Sequence, residues 1–106
     1  MTMRVYIAGP MTGLPDDNYP AFHAAAEKLR AAGFVVENPA ENDPPADPTW
    51  ENWLRIALRQ MLTCDAVVLL PGWHRSKGAR LESQVAEQLG LTVVDAAEAF
   101  KLAAKP

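Results

Sequence analysis

Cysteine is nearly missing from this chain of 106 residues: Cys64 stands alone, so no internal disulfide can form and a reducing compartment is expected. It reads as a core residue. Histidine is scarce too. His23 and His74 lie far apart with no Cys/His cluster beside them, so neither a structural metal nor any other cofactor is expected. His23 reads as a solvent-facing residue near Glu27. No apolar run approaches the ~18 residues that a membrane helix requires. The N-terminus also lacks the charged-then-apolar pattern of a secretory leader, so a cytoplasmic protein without a membrane partner is expected. There is no surplus of positive charge. Ten Lys and Arg against thirteen Asp and Glu give a net charge of −3, which argues against broad contact with a nucleic-acid polymer. There are no repeats, and the length suits one domain, 1–106.

What is present is an alternation of strand and helix signals. Arg4 to Ala8 reads as a first strand, stopped by a glycine- and proline-rich loop from Gly9 to Pro15. A helix is expected from Tyr19 to Ala32, capped by Asn18, with Pro20 in its first turn, Phe22, Ala25, Ala26 and Leu29 as its apolar stripe, and Gly33 at its end. Phe34 to Glu37 is the second strand. Ala40 to Thr49 is too rich in proline for a helix or a central strand, and serves either as a binding lid or as a connector. Asp47 and Pro48 are expected to start a helix reaching Leu62, with Leu54, Leu58, Met61 and Leu62 on its core face and Arg55, Arg59 and Gln60 in water. Ala66 to Leu70 is a strand apolar on both faces. The next helix carries Leu81, Val85, Ala86 and Leu89, with Gly90 as its C-terminal cap. Leu91 to Val94 and a capping box, Asp95 with Glu98, lead into a last helix docked by Phe100 and Leu102.

Such an order implies an α/β fold of the doubly wound, flavodoxin- or Rossmann-like kind: a parallel sheet in the order 2-1-3-4 with helices on both faces. The connections after strands one and three then leave in opposite directions and open a crevice between their carboxyl ends. Its flanking loops, Gly9 to Pro15 and Gly72 to Gly78, are the most glycine-rich in the chain. Ser76 is the expected N-cap of the helix after strand three, where free amides and the dipole suit an anion, and Gly78 would let that anion approach the backbone. Arg75, Lys77 and Arg80 form a small basic cluster compatible with one phosphate. Glu82, one turn inside, leans back toward the same loop. The same residues also have a plain reading as cap, turn and solvated acid. Trp50 and Trp53 have two readings as well, stacking on a flat ligand or packing beside a helix start.

Tyr6-Ile7-Ala8-Gly9-Pro10-Met11-Thr12-Gly13 and the later Ser76-x-Gly78-x-x-x-Glu82 together resemble the nucleoside 2-deoxyribosyltransferase superfamily. They look closest to a short bacterial and phage group near the deoxynucleoside 5′-monophosphate N-glycosidases. The similarity extends to Asn18-Tyr19-Pro20-Ala21-Phe22, Asn38-Pro39 and the run from Cys64 to Trp73. The resemblance implies cleavage of the N-glycosidic bond of a 2′-deoxynucleoside or its 5′-monophosphate, by hydrolysis or base transfer. Glu82 matches the nucleophile and Tyr6 the tyrosine that orients it. Ser76 and Gly78 match the end that holds the 5′ group, and the expected binding set is Gly9, Pro10, Met11, Gly13, Trp53, Ser76, Lys77, Gly78 and Arg80. A serine at position 76, where transferases of the superfamily carry aspartate, favours a phosphate over a 5′-hydroxyl. The chain departs from the pattern at Ala57, where an aspartate usually handles the proton of the leaving base. Asp47, Glu51, Asn52 and His74 are the candidates to replace it. The alternative is a non-catalytic nucleotide-binding or sensing protein with a degenerate site. With short edge strands and exposed aromatics, at least a homodimer is expected.

Overall fold

The computed structural model describes residues 3–103. Four strands, β1 (Arg4–Ala8), β2 (Val35–Glu37), β3 (Ala66–Leu69) and β4 (Thr92–Asp95), alternate with four helices, α1 (Tyr19–Ala31), α2 (Trp50–Met61), α3 (Lys77–Gln88) and α4 (Ala96–Ala103). All strand pairs are parallel and the order is β2-β1-β3-β4. The doubly wound α/β fold expected from the sequence is therefore observed. Central β1 and β3 are buried almost throughout, whereas β2 and β4, with one unpaired edge each, are half open.

Strand alternation sorts the core into two layers. Val5, Ile7, Val36, Ala66 and Val68 pack with Phe22, Ala25, Ala26 and Leu29 of α1 and with Ala96 and Ala99 of α4. Tyr6, Ala8, Val67 and Leu69 point the other way, toward Met61 of α2 and Ala79 and Ala86 of α3. Each fully buried large side chain among these, such as Ile7, Phe22 and Leu29, contributes roughly 1.5–3 kcal/mol of transfer free energy. Cys64 lies in the second layer, buried, and Phe100 packs against the first. The Leu102 side chain lies outside the described residues. Among those residues no helix is long and apolar enough to cross a membrane.

Gly33 (φ 100°) and Gly90 (φ 77°) end α1 and α3 in the left-handed conformation. In each case the next amide closes the cap: Phe34 N–H donates to Leu29 O, and Leu91 N–H to Ala86 O. The starts of α1 and α2 depart from expectation. Asp16, Asp17 and Asn18 are all left-handed (φ 53°, 52° and 60°), and this turn aims the Asn18 amide back at Pro10 O (2.9 Å) instead of capping α1. Thr49, not Asp47, caps α2 by accepting from Asn52 N–H at 3.1 Å. Helix α2 begins only at Trp50, and the Asp47 carbonyl instead accepts from the Thr49 amide and the Asn52 side chain. Leu62 and Leu89 are exposed, not core, because each is the residue at which its helix ends and turns off the sheet. Gln60 is half-buried and hydrogen-bonded, not solvated. The proline-rich segment holds one short 3-10 turn, Pro39–Glu41. Asn38 starts it, accepting from Ala40 N–H while its amide meets His23 Nδ1 at 3.3 Å. His23 is exposed as expected, but one ring nitrogen is thus engaged.

Candidate functional site

The chain after β1 passes to α1 on one face of the sheet, and the chain after β3 passes to α3 on the other, so the two loops part above the strand ends. They stay close at their base. Leu70 N–H donates to Ala8 O at 2.8 Å, and a Cβ on Gly9 would lie 2.8 Å from the Leu70 Cβ, so only glycine fits there. Above this base opens a cavity of about 280 Å³. A second hollow adjoins it, sharing Met11, Thr12, Trp50, Ser76 and Gly78.

Glu82 lies on the cavity wall, only 6 % exposed. It gets there because α3 starts just past the crevice and its fifth and sixth residues, Leu81 and Glu82, follow the buried Ala79 by less than one turn. The Tyr6 hydroxyl, carried on β1 and pointing into the same layer, donates to Glu82 Oε2. Glu82 Oε1 has no hydrogen bond among the described residues. No polar side-chain atom there is both buried and unpartnered, so Oε1 faces the open cavity. Among the described residues no cation pairs with this carboxylate. Burial therefore dominates and pushes the Glu82 carboxyl up to about 7, while the Tyr6 hydrogen bond works in the opposite direction. Tyr6 is driven well above its ordinary 10, by its own burial first and by the Glu82 charge second, so it stays a neutral donor. A carboxylate with one oxygen anchored and the other unpaired in a low-dielectric hollow can act as nucleophile or base toward a bound electrophile.

At one end of the cavity lies the start of α3. Ser76 Oγ accepts from Ala79 N–H at 3.1 Å, as expected of the N-cap. The amides of Lys77 and Gly78, at the first two helical positions, have no intrahelical carbonyl to bind. Gly78 leaves them uncovered, since a Cβ there would meet nothing nearer than Ser76 Oγ at 4.0 Å. Lys77 extends over the Trp50 ring, its Nζ 4.1 Å from the centroid. Together these groups form an anion-accepting end. The rest of the wall is more apolar: Trp50, Trp53, Leu54 and Ala57 from α2, and Tyr19 and Phe22 from α1. Asp17 and Asn42 add polar groups.

Of the predicted site residues, Tyr6, Gly9, Met11, Trp53, Ser76, Gly78 and Glu82 line this cavity. Pro10 and Lys77 line the adjoining hollow. Gly13 and Arg80 line neither. Gly13 is left-handed (φ 83°) and shapes its loop, while the Arg80 guanidinium is turned back past the start of its helix to donate to His74 O in the preceding loop at 3.0 Å. Of the candidates to replace an acid at position 57, Asp47, Glu51 and Asn52 are off both linings, and His74 reaches only the outer hollow, as does Arg75 of the basic cluster. Ala57 itself faces the cavity. Thr12, Asp17, Tyr19 and Asn42 are the polar lining residues outside the predicted catalytic and binding set. Asp and Asn tolerate left-handed backbone, so the run Asp16-Asp17-Asn18 was the available sign that this loop turns inward. Among the described residues no three His, Cys, Asp or Glu side chains gather to hold a metal.

Residues 3–95 match the model of a family described as a domain of unknown function (DUF4406). No match is found among curated proteins. The family match spans most of the chain, and the protein belongs to that family.

Proposed function

We propose that this member of the family cleaves the N-glycosidic bond of a 2′-deoxynucleoside 5′-monophosphate, with Glu82 as nucleophile. The observation that carries the reading is the pairing of an unsalted, Tyr6-anchored carboxylate with an anion-accepting helix start across one cavity. The phosphate would sit against the Lys77 and Gly78 amides and Ser76 Oγ, near the Lys77 ammonium. The base would lie toward Trp53 and Trp50, and the anomeric carbon near Glu82 Oε1. Attack of Oε1 on that carbon forms a glycosyl ester as the carbon–nitrogen bond breaks and its electron pair leaves with the base. The base takes a proton from solvent, and water then opens the ester, releasing the deoxyribose 5-phosphate and restoring the carboxylate. The neutral Ser76 favours a monophosphate, because a carboxylate at that point would repel it. The exposed Trp50, Leu14 and Val35 suit association at least as a homodimer, which sedimentation would test.

A second reading keeps the pocket without turnover, and Ala57 is the observation that favours it: no carboxylate stands on the α2 wall to protonate the departing base. Incubation with a panel of deoxynucleoside monophosphates, read by chromatography of released base beside a Glu82→Ala control, separates the two. Release that depends on Glu82 supports the enzyme. Binding without release supports the second reading. Tighter binding of free deoxynucleosides than of their monophosphates would refute the phosphate end.

A further inference from the structure

Four side chains form a chain of hydrogen bonds that ends in the cavity wall on the β2 side, across β1 from Glu82. Arg4 Nη2 donates to Glu37 Oε2 at 2.8 Å. Gln60 Nε2 donates to the other carboxylate oxygen, Glu37 Oε1, at 3.1 Å. Asn42 Nδ2 in turn donates to Gln60 Oε1 at 2.8 Å. The direction of every bond follows from the first pair. A carboxylate held by a guanidinium can only accept, so Gln60 must turn its amide nitrogen toward Glu37 and its oxygen toward Asn42. Asn42 must then turn its nitrogen toward Gln60, giving it one of its two N–H groups, and Oδ1, which makes no hydrogen bond among the described residues, is the end of this cavity-lining side chain turned away from Gln60.

We infer that Asn42, oriented by the Arg4–Glu37–Gln60 chain, is a specificity-determining acceptor that selects bases carrying an exocyclic amino group over their keto counterparts. This rests on the deoxynucleotide reading given above. Asp17, on the same cavity lining, is another acceptor when ionised, while the hydroxyls of Thr12 and Tyr19 can serve either as donors or as acceptors. Asp17 and the Asn42 oxygen turned away from Gln60 thus both offer acceptors on this lining. The 4-amino group of cytosine or the 6-amino group of adenine can donate to such a group. The keto oxygen at the same position in uracil or hypoxanthine would face it lone pair to lone pair, without a partner once water is excluded. Neither Gln60 nor Glu37 touches the ligand; both are positioning residues.

Two matched pairs test this: dCMP against dUMP, and dAMP against dIMP, with dissociation constants measured by calorimetry on the intact protein. The amino member of each pair should bind about tenfold tighter. Gln60→Leu frees the Asn42 amide to rotate, so the ratio should collapse toward one while both nucleotides still bind. Asn42→Leu should also remove the preference. Because the readout is a ratio of affinities for one preparation, partial unfolding of a variant does not move it. Equal or tighter binding of dUMP and dIMP by the natural protein would overturn the inference, and would leave the deoxynucleotide reading standing. A ratio unchanged by Gln60→Leu would overturn the positioning role. Failure of all four monophosphates to bind would sink both.

Discussion

Replacing Glu82 by glutamine should stabilise the fold, and the gain should depend on pH. An ordinary glutamate ionises near 4.5, and burial holds this one near 7. Between those values the unfolded chain has released the proton and the folded chain still holds it. The unfolded state thus binds fewer protons, and stability falls as pH rises. The slope is about 1.4 kcal/mol per pH unit inside that window, and the full cost above it comes to about 3 kcal/mol. Glutamine keeps the volume and offers the Tyr6 hydroxyl the same acceptor, but never ionises. Urea unfolding of both proteins from pH 4 to 8.5 should therefore show near-equal stability at the acid end and a variant about 3 kcal/mol more stable at pH 8. A site arranged for function at the expense of stability behaves this way. Equal stability of the two proteins at every pH, or a less stable variant at pH 8, would show that the carboxylate is solvated or paired, and the account of its reactivity would fail.

Base release needs the ionised form of Glu82, so its rate should climb with pH through about 7. Tyr6→Phe removes the hydrogen bond that opposes the upward shift and should move that limb to higher pH, as a pH–rate profile of kcat/KM would record. Ala57→Asp would add a carboxylate to the α2 wall and should raise the rate of base release by on the order of 10²-fold, measured by chromatography. No gain, in a variant that still binds nucleotide, would show that the proton already has another route. Gly9→Ala would drive a methyl group to 2.8 Å from the Leu70 Cβ and should cost roughly 1–3 kcal/mol in a urea titration.

The order of elements and the two layers of the core were legible because β-branched runs and three- and four-residue apolar spacing are local signals, read without knowing what lies across the sheet. Ser76, Gly33 and Gly90 were legible for the same reason: a cap is set by its immediate neighbours. Thr49 displaced Asp47 through a choice between adjacent capping residues that local pattern does not rank. Glu82 and Tyr6 stood out as candidates, yet their contact joins β1 to α3 and needs the parallel pairing of β1 with β3 to exist. Asn42 was out of reach. Its place depends on where the proline-rich segment runs and on a Gln60 that helical periodicity assigns to solvent. Arg80 shows the opposite failure: a basic residue near an anion-accepting helix start that instead folds back onto its own loop.

The most direct test is a crystal structure of the Glu82→Gln protein with a deoxynucleoside monophosphate bound. The phosphate is expected on the Lys77 and Gly78 amides and Ser76 Oγ, with the anomeric carbon about 3–3.5 Å from the side chain at position 82. A phosphate bound elsewhere, or an anomeric carbon out of reach of that side chain, would contradict the proposed function.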